Sequence, residues 1–315
     1  YRAIRKLEAA HALLLENGEL KSWRYWTPDY RDKLVLSDDE ALAALERELR
    51  ASVESMLVAD VPLGAFVSGG VDSSLIAALM TDLRKKPVET FNLGFHGNVA
   101  GSEHIQAEQV ARYIGANHHA LMIAPEDVLN AYDDWIEVFD EPFGDQAALP
   151  TMLLSRLTRQ HVTVALTGEG ADEVFGGYNN YWKRARDERL TGILGHHLSP
   201  LPWLARGLPP KLRKERMIKA VIEPKNRRYR TIPNVFDTLL RPELFSPAFL
   251  GALHEDLGAY AARHYDVCNS THYLDKLMYV DTALWLPDDL LTKVDRATMR
   301  YSLEARVPFL DHKFF

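Results

Sequence analysis

Ser68-Gly69-Gly70-Val71-Asp72-Ser73-Ser74 is the stretch on which the reading of the fold turns. The apolar run Val61 to Val67 before it has the brevity of a buried strand, and Leu75, Ile76, Leu79 and Leu83 recur behind it at helical spacing over 72–83. A glycine-rich turn from a strand into a helix makes an anion cradle. Glycines let the backbone approach the anion, the first free N–H groups and positive end of the helix attract it, and three serine hydroxyls add donors. The loop lacks the Lys of a Walker motif, so it suits a departing pyrophosphate better than a γ-phosphate.

Outward from this loop the pattern alternates. Strands are expected at 88–95, 120–123 and 162–167, and helices at 103–114, 125–139 and 150–160. This order predicts an α/β fold with a doubly wound parallel sheet, whose ligands lie beyond the carboxyl ends of the strands. Upstream, Ser37 and Glu40 form a capping box for a helix running to about Leu57, and Asn17-Gly18 between apolar runs predicts a hairpin over 10–26. Beyond Tyr178 the pattern predicts a mostly helical C-terminal half without strands. Residues 211–230 carry nine Lys or Arg against two Glu, which reads first as a solvated helical face.

A second glycine-rich loop, Thr167-Gly168-Glu169-Gly170-Ala171-Asp172-Glu173, follows the last expected strand and continues through Val174-Phe175-Gly176-Gly177-Tyr178. The run at 68–74 resembles the signature of ATP pyrophosphatases, the PP-loop or adenine nucleotide alpha hydrolase type. The run at 167–178 narrows the resemblance to the C-terminal synthetase domain of glutamine-hydrolysing asparagine synthetases. Asp140-Glu141-Pro142-Phe143-Gly144-Asp145, Lys293-Val294-Asp295-Arg296 and Leu303-Glu304-Ala305-Arg306-Val307-Pro308-Phe309-Leu310-Asp311 fit the same family, and the matches cover nearly the whole chain.

The resemblance implies an ATP-dependent ligase. The side-chain carboxylate of aspartate attacks the α-phosphorus, pyrophosphate leaves, and ammonia displaces AMP to give asparagine. Asp72 and Asp172, each following a parallel strand, can converge on one Mg²⁺ that also takes phosphate oxygens. Ser68, Gly69, Gly70, Ser73 and Ser74 are assigned to pyrophosphate, and Glu169 to the neighbourhood of the reacting carbonyl. Lys293 or Arg296 is assigned to the developing charge, the other pairing with Asp289 or Asp295 at helical spacing. Thr167 and Gly168 would contact the nucleotide, and Phe66 and Leu93 the adenine or ribose. Ammonia would come from a glutaminase domain. The segment 1–37 is expected to be the hairpin and linker from that domain, with the synthetase domain at 38–315.

A chain of 315 residues, 47% of them hydrophobic, can bury one large core or two modest ones, and a net charge of −7 provides no general attraction to nucleic acid or anionic membranes. The single Cys268 excludes an internal disulfide and is expected to be a packing residue. A cytoplasmic enzyme acting on small molecules, with self-association as a homodimer among its options, is the expectation. The start at Tyr1 without an initiator Met points to part of a longer polypeptide. Three alternatives stay open: a same-fold enzyme for another carboxylate (β-lactam synthetase-like, peptide-cyclising, or amidating a cell-surface precursor), a tRNA-modifying pyrophosphatase, and a non-catalytic nucleotide-binding module.

Overall fold

The computed structural model describes residues 4–96, 103–195, 245–252 and 257–315. The basic run at 211–230 lies outside them. Two compact units divide the chain, one formed by Tyr1–Leu34 with Gly176–Pro287, the other by Val35–Phe175 with Asp288–Phe315.

The second unit holds a five-stranded parallel sheet built from β3 (Leu63–Phe66), β4 (Glu89–Phe95), β5 (Asn117–Ile123), β6 (Val164–Leu166) and β7 (Glu304–Arg306), in the order β5-β4-β3-β6-β7. Strands alternate their side chains between two faces. On one face Leu63, Ala65 and Val67 pack with Leu49, Val53, Ile76, Met80 and Phe309. On the other, Phe91 and Ala165 pack with Val162 and Leu303, and Ile123 packs with Leu153. Helices α1 (Asp38–Met56), α2 (Val71–Arg84), α3 (His104–Ile114), α4 (Pro125–Asn130), α6 (Ala148–Thr158) and α7 (Ala171–Phe175) supply these covers, and α5 (Tyr132–Val138) lies between α4 and α6 in the chain. The capping box at Ser37 and Glu40 is present. The sheet is doubly wound, as expected, and its order reverses between β3 and β6, the crevice where such folds bind ligands.

Two expectations are corrected. The helix expected over 125–139 is interrupted at Ala131, giving α4 and α5. The C-terminal half also contributes β7, whose three residues pair with β6 from Val164↔Glu304 to Leu166↔Arg306. Arg306 fixes this edge by donating from Nη1 to the carbonyls of Met56 (2.6 Å) and Val58 (2.8 Å).

The first unit contains the hairpin β1 (His11–Glu16) and β2 (Glu19–Arg24), with Asn17 and Gly18 both at positive φ, the requirement of a type I′ turn. It also holds α8 (Asn179–Gly195), α9 (Pro247–Ala252), α10 (Leu257–Val267) and α11 (Tyr273–Val280). Arg24 donates to the Tyr279 hydroxyl (2.8 Å), and Lys33 pairs with Asp275 (2.9 Å). Tyr181, Tyr265, Leu277 and Tyr279 form its core, and Cys268 is buried among them as a free thiol. A π-helix over Asp281–Leu291, containing Pro287, leads into α12 (Thr292–Met299). Among the described residues no helix is long and apolar enough to cross a membrane.

Candidate active site

The loop after β3 is shaped by its own hydroxyls. Ser73 Oγ accepts the Ser68 N–H at 3.0 Å and lies 2.9 Å from Ser68 Oγ, which in turn accepts the Gly70 N–H at 3.2 Å. The Ser74 hydroxyl donates to the Gly70 carbonyl at 2.5 Å. Gly69 takes φ +84°, a conformation that L side chains rarely adopt. Gly70 caps α2 without a side-chain hydrogen bond, so the first amides of the helix remain available to an anion.

The loop after β6 is placed by tertiary contacts. Thr167 N–H donates to the Arg306 carbonyl of β7 at 2.9 Å, and Thr167 Oγ1 accepts the Glu169 N–H at 3.0 Å. A Cβ at Gly168 would lie 2.7 Å from Ser73 N and 3.0 Å from Ser73 Cα. The two glycine-rich loops therefore touch, backbone against backbone, at the sheet's switch point.

This contact brings Asp72 and Asp172, each the second residue of its helix, into electrostatic range. Burial holds the Asp72 carboxyl above its ordinary value. At Asp172 burial raises the pKa, and the charge of Asp72 raises it further. Among the described residues neither carboxylate forms a salt bridge, and no group of three or more His, Cys, Asp or Glu side chains could hold a metal ion alone. Two adjacent, uncompensated carboxylates fit a hard divalent cation that draws its remaining oxygens from phosphates and water.

Lys293, on α12 and only 6% exposed, sits 3.1 Å from Asp145 Oδ2 and 3.7 Å from Glu169 Oε1. Burial pulls its ammonium down, but Glu169 and Asp145 outweigh burial and hold it above its ordinary value. Burial pushes the Glu169 carboxyl up against the opposing pull of Lys293. Arg296 is turned elsewhere, with its guanidinium 2.7 Å from Asp140 and donating to the Val138 carbonyl at 3.1 Å. The helical-spacing pairs with Asp289 and Asp295 are thus not the ones formed. Tertiary carboxylates take both cations.

Phe66 ends β3 and packs toward Phe91 and Leu303, while Leu93 on β4 packs toward Ile123 and Leu153. Both side chains belong to the core. Sequence reasoning gave no role to Asn92, which is 5% exposed and donates to the Val67 carbonyl at 2.7 Å, bracing the strand end that carries the first loop. It also assigned no partner to Asp145. That residue lies in an irregular loop, where spacing carries no signal.

A doubly wound parallel sheet with a lysine-free phosphate loop, met by a second glycine-rich loop at the switch point, defines a PP-loop nucleotide-binding domain. The sequence profile of the Asparagine synthase family matches residues 44–315. The chain belongs to that family. It is 29% identical over 313 residues to asparagine synthetase [glutamine-hydrolyzing] 1 of Bacillus subtilis, covering 99% of this chain and 49% of that protein. It is 27% identical over 339 residues to asparagine synthetase 3 of the same organism, covering 99% of this chain and 47% of that protein. Asparagine synthetase B of Escherichia coli is 32% identical over 217 residues, 62% of this chain and 39% of that one. The chain spans about half the length of the curated relatives it matches.

Proposed function

We propose that this chain adenylates the side-chain carboxylate of aspartate with ATP and passes it to ammonia, releasing asparagine, AMP and pyrophosphate. The observation that carries the reading is the contact of Gly168 with Ser73, which joins the two loops and sets Asp72 beside Asp172. Asp72 and Asp172 would hold Mg²⁺, which when bound offsets phosphate charge. Gly69, Gly70 and the serines at 68, 73 and 74 cradle the pyrophosphate, with the open amides of α2 adding donors. Thr167 and Gly168 face the nucleotide, and Phe66 at the end of β3 and Leu93 within β4 support its base.

Of the two candidate cations, Lys293 is the one we assign to the developing negative charge. It lies beside Glu169 in a poorly hydrated setting, where a fixed charge acts most strongly, whereas Arg296 is engaged by Asp140. Glu169 orients this ammonium and stands near the reacting carbonyl. Ammonia would be delivered by a glutaminase domain such as the full-length relatives' names imply.

The test is pyrophosphate release by the protein supplied with Mg²⁺, ATP, ammonium and a panel of carboxylic acids. AMP and pyrophosphate are expected in equal amounts, with aspartate the preferred acid. ADP formation would discard the mechanism. Preference for another acid would keep the ligase chemistry and replace the substrate.

A further inference from the structure

Three carboxyl groups surround Lys293: Asp145 from the loop before α6, Glu169 from the loop before α7, and Asp289 from the last turn of the π-helix. They are not equivalent. Asp145 and Glu169 face the ammonium at 3.1 and 3.7 Å. Asp289 Oδ2 is buried without a hydrogen-bond partner. On an uninterrupted α-helix Asp289 and Lys293 would stack at i, i+4. Here the winding changes from π to α between Leu291 and Thr292, and the lysine is drawn to the other two acids.

A buried carboxyl oxygen with no donor is costly if charged, so it either stays protonated or waits for a proton-bearing partner. The proposed reaction supplies such a partner. Ammonia's lone pair forms the C–N bond, the carbonyl carbon's bond to the adenylate oxygen breaks, and AMP leaves with that electron pair. The nitrogen must then lose one proton. On the reading given above, we infer that Asp289 is the proton acceptor for this step: it is the one carboxyl of the three around Lys293 with a buried, unbonded oxygen.

Its acidity agrees with the geometry. Burial, joined by the charges of Asp145 and Glu169 against the opposing pull of Lys293, pushes its pKa up to about 6. An acceptor poised near the working pH transfers protons most effectively. Because the fold already disfavours the charged form, Asp289→Asn keeps the neutral shape that the site tolerates, and the variant is expected to fold.

The experiment measures amide formed per pyrophosphate released, at fixed free ammonia, from pH 5 to 8. In the unsubstituted protein the ratio is expected to climb as pH rises through about 6. In Asp289→Asn it is expected to fall by about 10²-fold at neutral pH and to lose that climb. Asp289→Glu, which restores a carboxylate, is expected to recover the climb. A ratio and profile in Asp289→Asn equal to the unsubstituted protein's would overturn the inference alone. Absence of pyrophosphate from the unsubstituted protein with every acid would overturn the functional reading, and the inference with it.

Discussion

At the amino ends of β4 and β5, Glu89 accepts a hydrogen bond from Asn117 at 2.8 Å and lies 2.6 Å from His119 Nε2. The His119 ring stacks on Phe91 and stands against His161 at 4.1 Å between centroids. Burial alone would raise the Glu89 carboxyl, but its partners outweigh burial and hold it below its ordinary value. At the carboxyl ends of β3 and β6, Asp72 and Asp172 are pushed the opposite way, both by burial and Asp172 further by the charge of Asp72. One edge of the sheet satisfies its charge and the other stores it. Uncompensated carboxylates held close together are the kind of arrangement that functional sites keep at a cost in stability.

The largest break in this contrast is expected from Asp172→Asn. Turnover should fall by about 10²–10³-fold or more, because a charge aimed at the cation and phosphates is lost. The melting temperature of the ligand-free protein should rise rather than fall, since a buried like-charge repulsion is removed. A pyrophosphate assay and a thermal melt on one preparation check both, and an active variant would remove the metal assignment. Next comes Gly168→Ala, which sharpens the role of loop contact. Its Cβ would meet backbone atoms of Ser73 at 2.7 and 3.0 Å, so the loops must separate. A misplacement near 1 Å is expected to cost about 10²-fold in turnover, read as kcat and KM for ATP. The smallest effect is expected at the quiet edge. Glu89→Gln should leave turnover unchanged and lower stability by less than about 1 kcal/mol in a denaturant melt.

What could be read without coordinates was what local chemistry decides. The capping box at Ser37, the positive-φ turn at Asn17-Gly18, and the strand–loop–helix units around Gly69 and Gly168 follow from short-range preferences. β7 was missed because Glu304-Ala305-Arg306 is too short to show alternation and draws its strand character from β6 alone. The break at Ala131 went unseen because Val128, Tyr132, Trp135 and Phe139 keep helical spacing across it. For the site, the residues of both loops were legible, since glycines, serines and acids at strand ends have few other uses in that pattern. The partners of Lys293 were not. Helical spacing offered Asp289 as a partner, whereas Asp145 and Glu169 reach it from loops far away in the chain.

The edge strand β7 carries a consequence for biosynthesis. Its pairing with β6, and the grip of Arg306 on Met56 and Val58, join residues made early to residues made late. A ribosome must deliver the whole intervening stretch before that edge can close, and until then β6 offers an open flank to any passing strand. Nascent chains of this protein should therefore be most exposed to misassociation just before Arg306 emerges, a window in which a chaperone has something definite to shield.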